Sequence, residues 1–100
     1  MIIEFYTSGA EISAAVLAQL RDEIIELHKR YERISRVNIS FRQKTKSSSA
    51  EKICDIRLFM AGNTIVAKGS CKNFDHASQK AMTLLNENIA ETVKQKLHLL

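Results

Sequence analysis

Between Leu27 and Phe41 the apolar residues change period, and that switch restricts the chain to a small set of folds. Ile12, Val16, Leu20, Ile24, Leu27 and Tyr31 recur three or four residues apart, which lines them along one side of a helix of about five turns. Val37, Ile39 and Phe41 then alternate with Asn38, Ser40 and Arg42, the period of a strand with one buried face. Elements that are apolar on one side only must bury that side against one another. A layer of helices over a one-sided sheet is the simplest solution.

The same two periods order the rest of the chain. Residues 2 to 7, IIEFYT, alternate loosely and stop at Ser8-Gly9, which predicts a first strand. Ser13 is placed to cap the first helix, with Ile12 and Leu17 at the staple positions, and the pattern carries that helix to about Ile34-Ser35. The stretch KTKSSSAE, residues 44–51, is polar and serine-rich and predicts a mobile loop at a hairpin tip. Cys54, Ile56, Leu58 and Met60 form one face of the next strand, and Ile53, Asp55, Arg57 and Phe59 the other. Gly62-Asn63, with glycine first, fits a two-residue type II′ turn. That turn predicts Cys54 opposite Cys71, Ile56 opposite Gly69, Leu58 opposite Ala67 and Met60 opposite Ile65, all on one face. Gly69 and Ala67 are small where a helix can lie close, and the two thiols are expected as unbonded neighbours in the core.

The last helix is expected from Asn73 or Phe74 to Leu97, with Phe74, Ala77, Ala81, Leu85, Ile89, Val93 and Leu97 on its buried side. The fold class that follows is α+β: order β-α-β-β-β-α, a four-stranded sheet with two helices packed on one face. The long helical crossover makes the first two strands parallel. One hundred residues suit a single such domain over positions 1–100.

Charge gathers where the period switches. KRYERISRVNISFRQKTK, residues 29–46, holds seven Lys or Arg residues against Glu32 alone; its net +6, in a chain of +4 overall, leaves −2 for everything else. A cationic surface on an otherwise mild protein suits a polyanionic partner, although a face kept charged for solubility has the same composition. Lys29, Arg33 and Arg36 fall at i, i+4 and i+7 of the expected helix exit, and Arg42, Lys44 and Lys46 on one side of a strand. Together they predict one cationic ridge able to follow a phosphate backbone, with arginine where bidentate contacts matter. That ridge requires its guanidinium groups to share a side and to be free of carboxylates. With Arg30 and Lys80 added, the candidate RNA-binding set is Lys29, Arg30, Arg33, Arg36, Arg42, Lys44, Lys46 and Lys80.

Other chemistries find little purchase. Cys54, Cys71, His28, His76 and His98 lack metal-ligand spacing, so no metal or other cofactor is expected. There is no Gly-rich phosphate loop, GxSxG or HExxH, and no enzymatic activity is expected. No run reaches the length of a membrane span, and MIIEFYTSGAEI lacks the features of a signal peptide, which predicts a cytoplasmic chain without a membrane partner.

Three stretches, LHKRYERISRVNISF, DIRLFMAGNTIVAKGSCKNF and CKNFDHASQKAMTLL, taken in order, resemble the ribosome hibernation-promoting factors, or ribosomal subunit interface proteins, in their short, single-domain form. The resemblance implies a fold similar to a double-stranded-RNA-binding domain with a strand added in front, a type that recognises A-form RNA by shape and backbone. It implies a bacterial, ribosome-associated factor of stressed or stationary cells. Such a factor binds small-subunit rRNA in the mRNA/tRNA cleft and inhibits translation. One departure stands out. Where the family carries basic runs on its last helix, this chain has NENIAETVKQK, and Asp75, Glu87 and Glu91 balance Lys80, Lys94 and Lys96. The alternative is a divergent member acting as a general structured-RNA-binding or protein-interaction module. For the latter, Ile53, Phe59 and Val66 are expected half-exposed on the sheet face away from the helices, where an apolar patch could pair subunits in a weak homodimer. Scattered surface hydrophobes need no partner, however, and are the slightly favoured reading.

Overall fold

The computed structural model describes residues 1–46 and 49–98, with the backbone alone at 45, 46, 49 and 96–98. Its elements are β1 (Ile2–Thr7), α1 (Ala14–Arg30), β2 (Ile34–Lys46), β3 (Ser49–Met60), β4 (Asn63–Cys71) and α2 (Phe74–His98). The strands lie in the order β1-β2-β3-β4, with β1 parallel to β2 and the other neighbours antiparallel. Leu20, Ile24 and Leu27 of α1 and Ala77, Ala81, Leu85 and Ile89 of α2 share one core with Val37, Ile39, Phe41, Cys54, Ile56 and Leu58 of the sheet. Both helices therefore cover the same sheet face, as their single apolar stripes require.

Local chemistry sets the ends of α1. Ser13 is extended, and its Oγ accepts the Val16 N–H at 3.2 Å, while Ile12 and Leu17 pack against the core on either side of the cap. The helix stops at Arg30. Tyr31 leaves helical geometry at φ −127°, ψ 82°, its N–H still donating to the Leu27 carbonyl at 2.9 Å. This end comes earlier than the apolar spacing suggests, because Ile34 continues that spacing from a strand. Ile34 pairs with Met60 and Arg36 with Phe59, so Ser35 is an extra residue, a bulge whose Oγ donates to the Phe59 carbonyl at 3.2 Å. The bulge lets Ile34 and Val37, three residues apart, both enter the core.

The β2–β3 hairpin is longer than its composition implies. Strand pairing continues to Lys46 opposite Ser49, so residues 44–46 and 49–51 belong to the ladder and not to a loop; positions 47 and 48 of the expected loop lie outside the described residues. β1 accompanies β2 only as far as Phe41, and β4 accompanies β3 only from Lys52. The pairs beyond form a two-stranded ribbon with solvent on both faces. A polar sequence suits that setting as well as it suits a loop.

The second turn also differs from expectation. Met60 lies opposite Asn63, so the turn residues are Ala61-Gly62, with glycine second at φ 79°. Glycine is needed there because a side chain disfavours positive φ. The register is shifted by two residues: Leu58 faces Ile65, Ile56 faces Ala67, Cys54 faces Gly69, and Cys71 faces Lys52. An even shift leaves every side chain on its expected face, so the core is unchanged. It does separate the thiols, which become diagonal neighbours about 7–8 Å apart, too far for a disulfide without backbone movement. Both cysteines are free, and burial, with the Asp55 charge beside it, pushes the Cys54 thiol up to about 12.

α2 starts at Asn73, whose Oδ1 accepts the His76 N–H at 2.8 Å. Its first turns lie on β4 at closest range over Gly69. A methyl group there would meet the Ala77 carbonyl and come within 2.6 Å of the Ala81 amide nitrogen. Phe74 then meets Phe41 edge-on, ring centres 5.8 Å apart at 88°, and Phe5 stacks on the other side of Phe41 at 6.5 Å.

Two outcomes are expected. Gly69→Ala should destabilise the protein by about 1–3 kcal/mol or more, read as a lower urea midpoint, because the obstruction is backbone and not a flexible side chain; an unchanged midpoint would contradict the close approach of α2. Under non-reducing conditions Cys54 should resist a thiol reagent in the native protein, and both thiols should react once it is denatured. Loss of both on denaturation would mean a disulfide and a different register.

Candidate nucleic-acid interface

The predicted basic residues fall into two groups at opposite ends of the sheet. At the exit of α1, Lys29 and Arg30 close the last turn, where with His28 they oppose the negative end of the helix dipole. Lys29 Nζ lies 2.9 Å from Glu26. Arg33 is exposed in the short link to β2, and Arg36 stands on the open sheet face with its Nε 3.4 Å from Glu4. At the other end Arg42 Nε is 3.0 Å from Asp55, and Lys44 is exposed on the ribbon. The backbone of Lys46 pairs with Ser49. Arg36 and Lys46 are ten residues apart on one strand, a span of about 33 Å. Lys80 sits on α2, exposed, its Nζ donating to the Ser70 carbonyl at 3.3 Å.

This arrangement is not one ridge. Arg33 lies beyond the end of α1, so the i, i+4, i+7 series of Lys29, Arg33 and Arg36 never forms. Among the described side chains, Lys29, Arg36 and Arg42 are paired with carboxylates. Those pairs are solvent-exposed or half-exposed, and such pairs contribute about 0–1 kcal/mol each, little enough for a phosphate to displace.

The strand register instead gathers charge on the open face of the sheet. Four successive rows cross it from β1 to β4: Ile2, Arg36, Phe59, Thr64; then Glu4, Asn38, Arg57, Val66; then Tyr6, Ser40, Asp55, Lys68; then Arg42, Ile53, Ser70. The carboxylates here are engaged. Glu4 holds Arg36 and accepts from the Tyr6 hydroxyl at 2.7 Å, Asp55 holds Arg42, and Ser70 donates to Glu51. The bond to Glu4 also holds the Tyr6 hydroxyl above its ordinary pKa. Lys44, Arg57 and Lys68 are exposed and make no ion pair among the described residues. Arg57 and Lys68 are absent from the predicted set because density of charge along the chain selected it. Period two alone places both on the face of Arg36, Arg42 and Lys44.

Ile53 is the exception on this face. Expected half-exposed, it is buried at 1% exposure, because Arg42 and Ser70 beside it reach Asp55 and Glu51 on either side and close over it. Val66 alone of the three expected patch residues is largely open, at 56%, and Phe59 is half-buried.

The helix side is close to neutral, Arg21, Lys29 and Arg30 balancing Asp22, Glu23 and Glu26 on α1 as the lysines and carboxylates of α2 balance one another, but its carboxylates gather locally. A groove of about 560 Å³ between α1 and α2 is lined by Asp22, Glu23 and Glu26, with Arg30 at its edge. Among the described residues no group of three or more His, Cys, Asp or Glu side chains is placed to hold a metal ion, and no helix is long and apolar enough to cross a membrane.

A one-sided β-α-β-β-β-α sheet with a cationic open face defines the class of protein to which the chain is comparable. No family model and no curated protein matches the sequence. Among solved structures it is similar to a ribosomal subunit interface protein from Coxiella burnetii, with a TM-score of 0.74 at 20% identity over 93% of this chain and 99% of that one. It is equally similar to the N-terminal domain of Protein Y from Thermus thermophilus, at 0.74 and 15% identity over 92% and 99%. The chain has the fold of these proteins, the same family that its sequence resembles.

Removing the Asp55 charge provides a direct test of the face. Asp55→Asn should change stability by less than about 1 kcal/mol, because the pair with Arg42 is half-exposed. It should also tighten binding of structured RNA at low salt by releasing that guanidinium. Weaker binding would place the interface elsewhere.

Proposed function

We propose that this chain binds the small ribosomal subunit through its rRNA, in the cleft used by mRNA and tRNA, and inhibits translation in stressed or stationary cells. The observation that carries this reading is the likeness, over nearly the whole of both chains, to a ribosomal subunit interface protein and to Protein Y. The charge distribution supports it. Arg33 at one end of the sheet, Lys44 at the other and Arg57 and Lys68 between them are exposed, so phosphates can be met along the length of the body. Backbone contacts of this kind position a protein on folded RNA by shape. The acidic groove on the helix side disfavours docking by that side.

Co-sedimentation with small subunits at two salt concentrations tests the reading, with an in-vitro translation assay alongside. The protein should pellet with the subunit at low salt and lower the translation yield. Replacing Arg33, Arg36, Arg42 and Lys44 together with Gln should release it and flatten the salt dependence by up to about three to four in log–log slope. Replacing Lys94 and Lys96 should do less, since α2 is balanced in charge. Failure to pellet at either salt would overturn the proposal.

A further inference from the structure

The open sheet face carries more than fixed charge. A transverse groove of about 670 Å³ crosses its second and third rows, with Tyr6 on β1, Asn38 and Ser40 on β2, Arg57 on β3 and Lys68 on β4 among its walls. That volume is within the range of small-ligand pockets. We propose that this groove is a site for single-stranded RNA. It would take one or two nucleotides, with a base against Tyr6 and Asn38 and the phosphates on Arg57 and Lys68. The inference deepens the proposed RNA-binding function and rests on it.

Three observations converge on that occupant. The first is charge. Arg57 and Lys68 are diagonal neighbours across β3 and β4, both exposed and without an ion pair among the described residues. Asp55 also lines the groove, but its carboxylate is held by Arg42 at 3.0 Å. An anion entering the groove therefore meets two cations that make no ion pair among the described residues, with Asp55, opposite Lys68, already engaged by Arg42. The second is the ring of Tyr6, 48% exposed and tethered by its hydroxyl to Glu4 at 2.7 Å. An aromatic ring fixed at one end of a cationic groove is a stacking platform for an unpaired base.

The third is Asn38. Its Oδ1 is buried and has no hydrogen-bond partner among the described residues. A buried acceptor without a donor is a cost to the folded protein, and turning the Asn38 amide so that its oxygen meets a donor brought by a ligand in the groove removes it. Adenine N6 and cytosine N4 are such donors, whereas the one Watson–Crick-edge donor of uracil, N3–H, lies between two carbonyl oxygens that an amide oxygen repels. A duplex presents its bases to one another and not to a groove floor, so the ring and the amide reward an unstacked, single-stranded base. A second copy of this chain is a poorer occupant. With Ile53 buried, the open apolar residues Ile2 and Val66 stand on the two outer strands of the sheet and form no single patch for a second copy to cover.

The test uses fluorescein-labelled eight-nucleotide oligo(A), oligo(C) and oligo(U), followed by anisotropy at low and at physiological salt. The wild-type chain should bind all three in a salt-dependent manner, with oligo(A) and oligo(C) ahead of oligo(U). Arg57→Gln with Lys68→Gln should lower the log–log salt slope by about 1.4, two phosphates at ~0.7 each. Tyr6→Ala should weaken binding about tenfold, and Tyr6→Phe should largely retain it. Thermal melts of each variant distinguish lost contacts from lost folding. Equal binding of the three oligonucleotides overturns the role given to Asn38. Absence of oligonucleotide binding by a chain that still pellets with small subunits overturns this inference and leaves the proposed function standing. Oligonucleotide binding without subunit binding does the reverse. Concentration-dependent dimerisation abolished by Val66→Asp, with no oligonucleotide binding, would assign the face to a second copy.

Discussion

The contact of α2 with Gly69 is the constraint on which the rest of the molecule depends. The missing side chain lets the backbone at Ala77 and Ala81 rest against β4, and those two residues are themselves small and wholly buried. With the helix that close, Phe74 reaches Phe41 edge-on, and through Phe41 the contact extends to Phe5 on β1. One close approach thus joins the last element of the chain to the first. It also commits the sheet to a single buried face, since both helices lie on that side. The opposite face has to be solvated, and its side chains are available for work other than packing.

Much of the charge on this solvated face and at the helix exit has a structural use. Lys29 and Arg30 sit in the last turn of α1, where each cation contributes about 0.3–1 kcal/mol against the helix dipole. Arg42 and Ser70, by reaching Asp55 and Glu51, cover Ile53, so an apolar residue is buried on the polar side without a helix above it. These uses are weak. Half-exposed ion pairs contribute about as much as one dipole interaction, and phosphate contacts that release counterions compete with them on equal terms. Arg36 and Arg42 can therefore serve the fold in the free protein and a polyanion in a complex.

The sequence displays most of this fold because its two periods are clean and its small residues are placed where packing is tightest. Gly69 and Ala67 mark the close approach in the sequence itself, and Ser13 and Asn73 mark both helix starts. Where sequence and structure part, one local signal has two physical origins. Ile34 keeps a helical interval from Tyr31 yet reaches the core from a bulged strand, which makes α1 look longer than it is. Serine and lysine at 44–51 look like a loop because neither face of the ribbon is buried, although its backbone is paired at every described position. At the turn, Gly62 serves as second residue where first was expected, and a shift of two preserves the faces while moving Cys71 away from Cys54. The interface was less legible for a different reason. Local density of charge follows the chain, whereas a surface follows the register, and Arg57 and Lys68 join Arg36, Arg42 and Lys44 only across strands.

That distinction bears on how such a body meets RNA. Asp22, Glu23 and Glu26 line the groove between the helices, and α2 itself is close to neutral, so the helix side offers a phosphate surface little attraction. The sheet side has Lys44, Arg57 and Lys68, which make no ion pair among the described residues, and its carboxylates are each occupied by a neighbour. A cationic side opposite a near-neutral one makes the molecule a dipole in the field of a polyanion, and over distances of about a Debye length, ~8 Å at physiological salt, that field turns it sheet-first. A chain lacking basic runs on its last helix therefore keeps one cationic side instead of two. On the proposed function, its orientation on a ribosome is set by that one side.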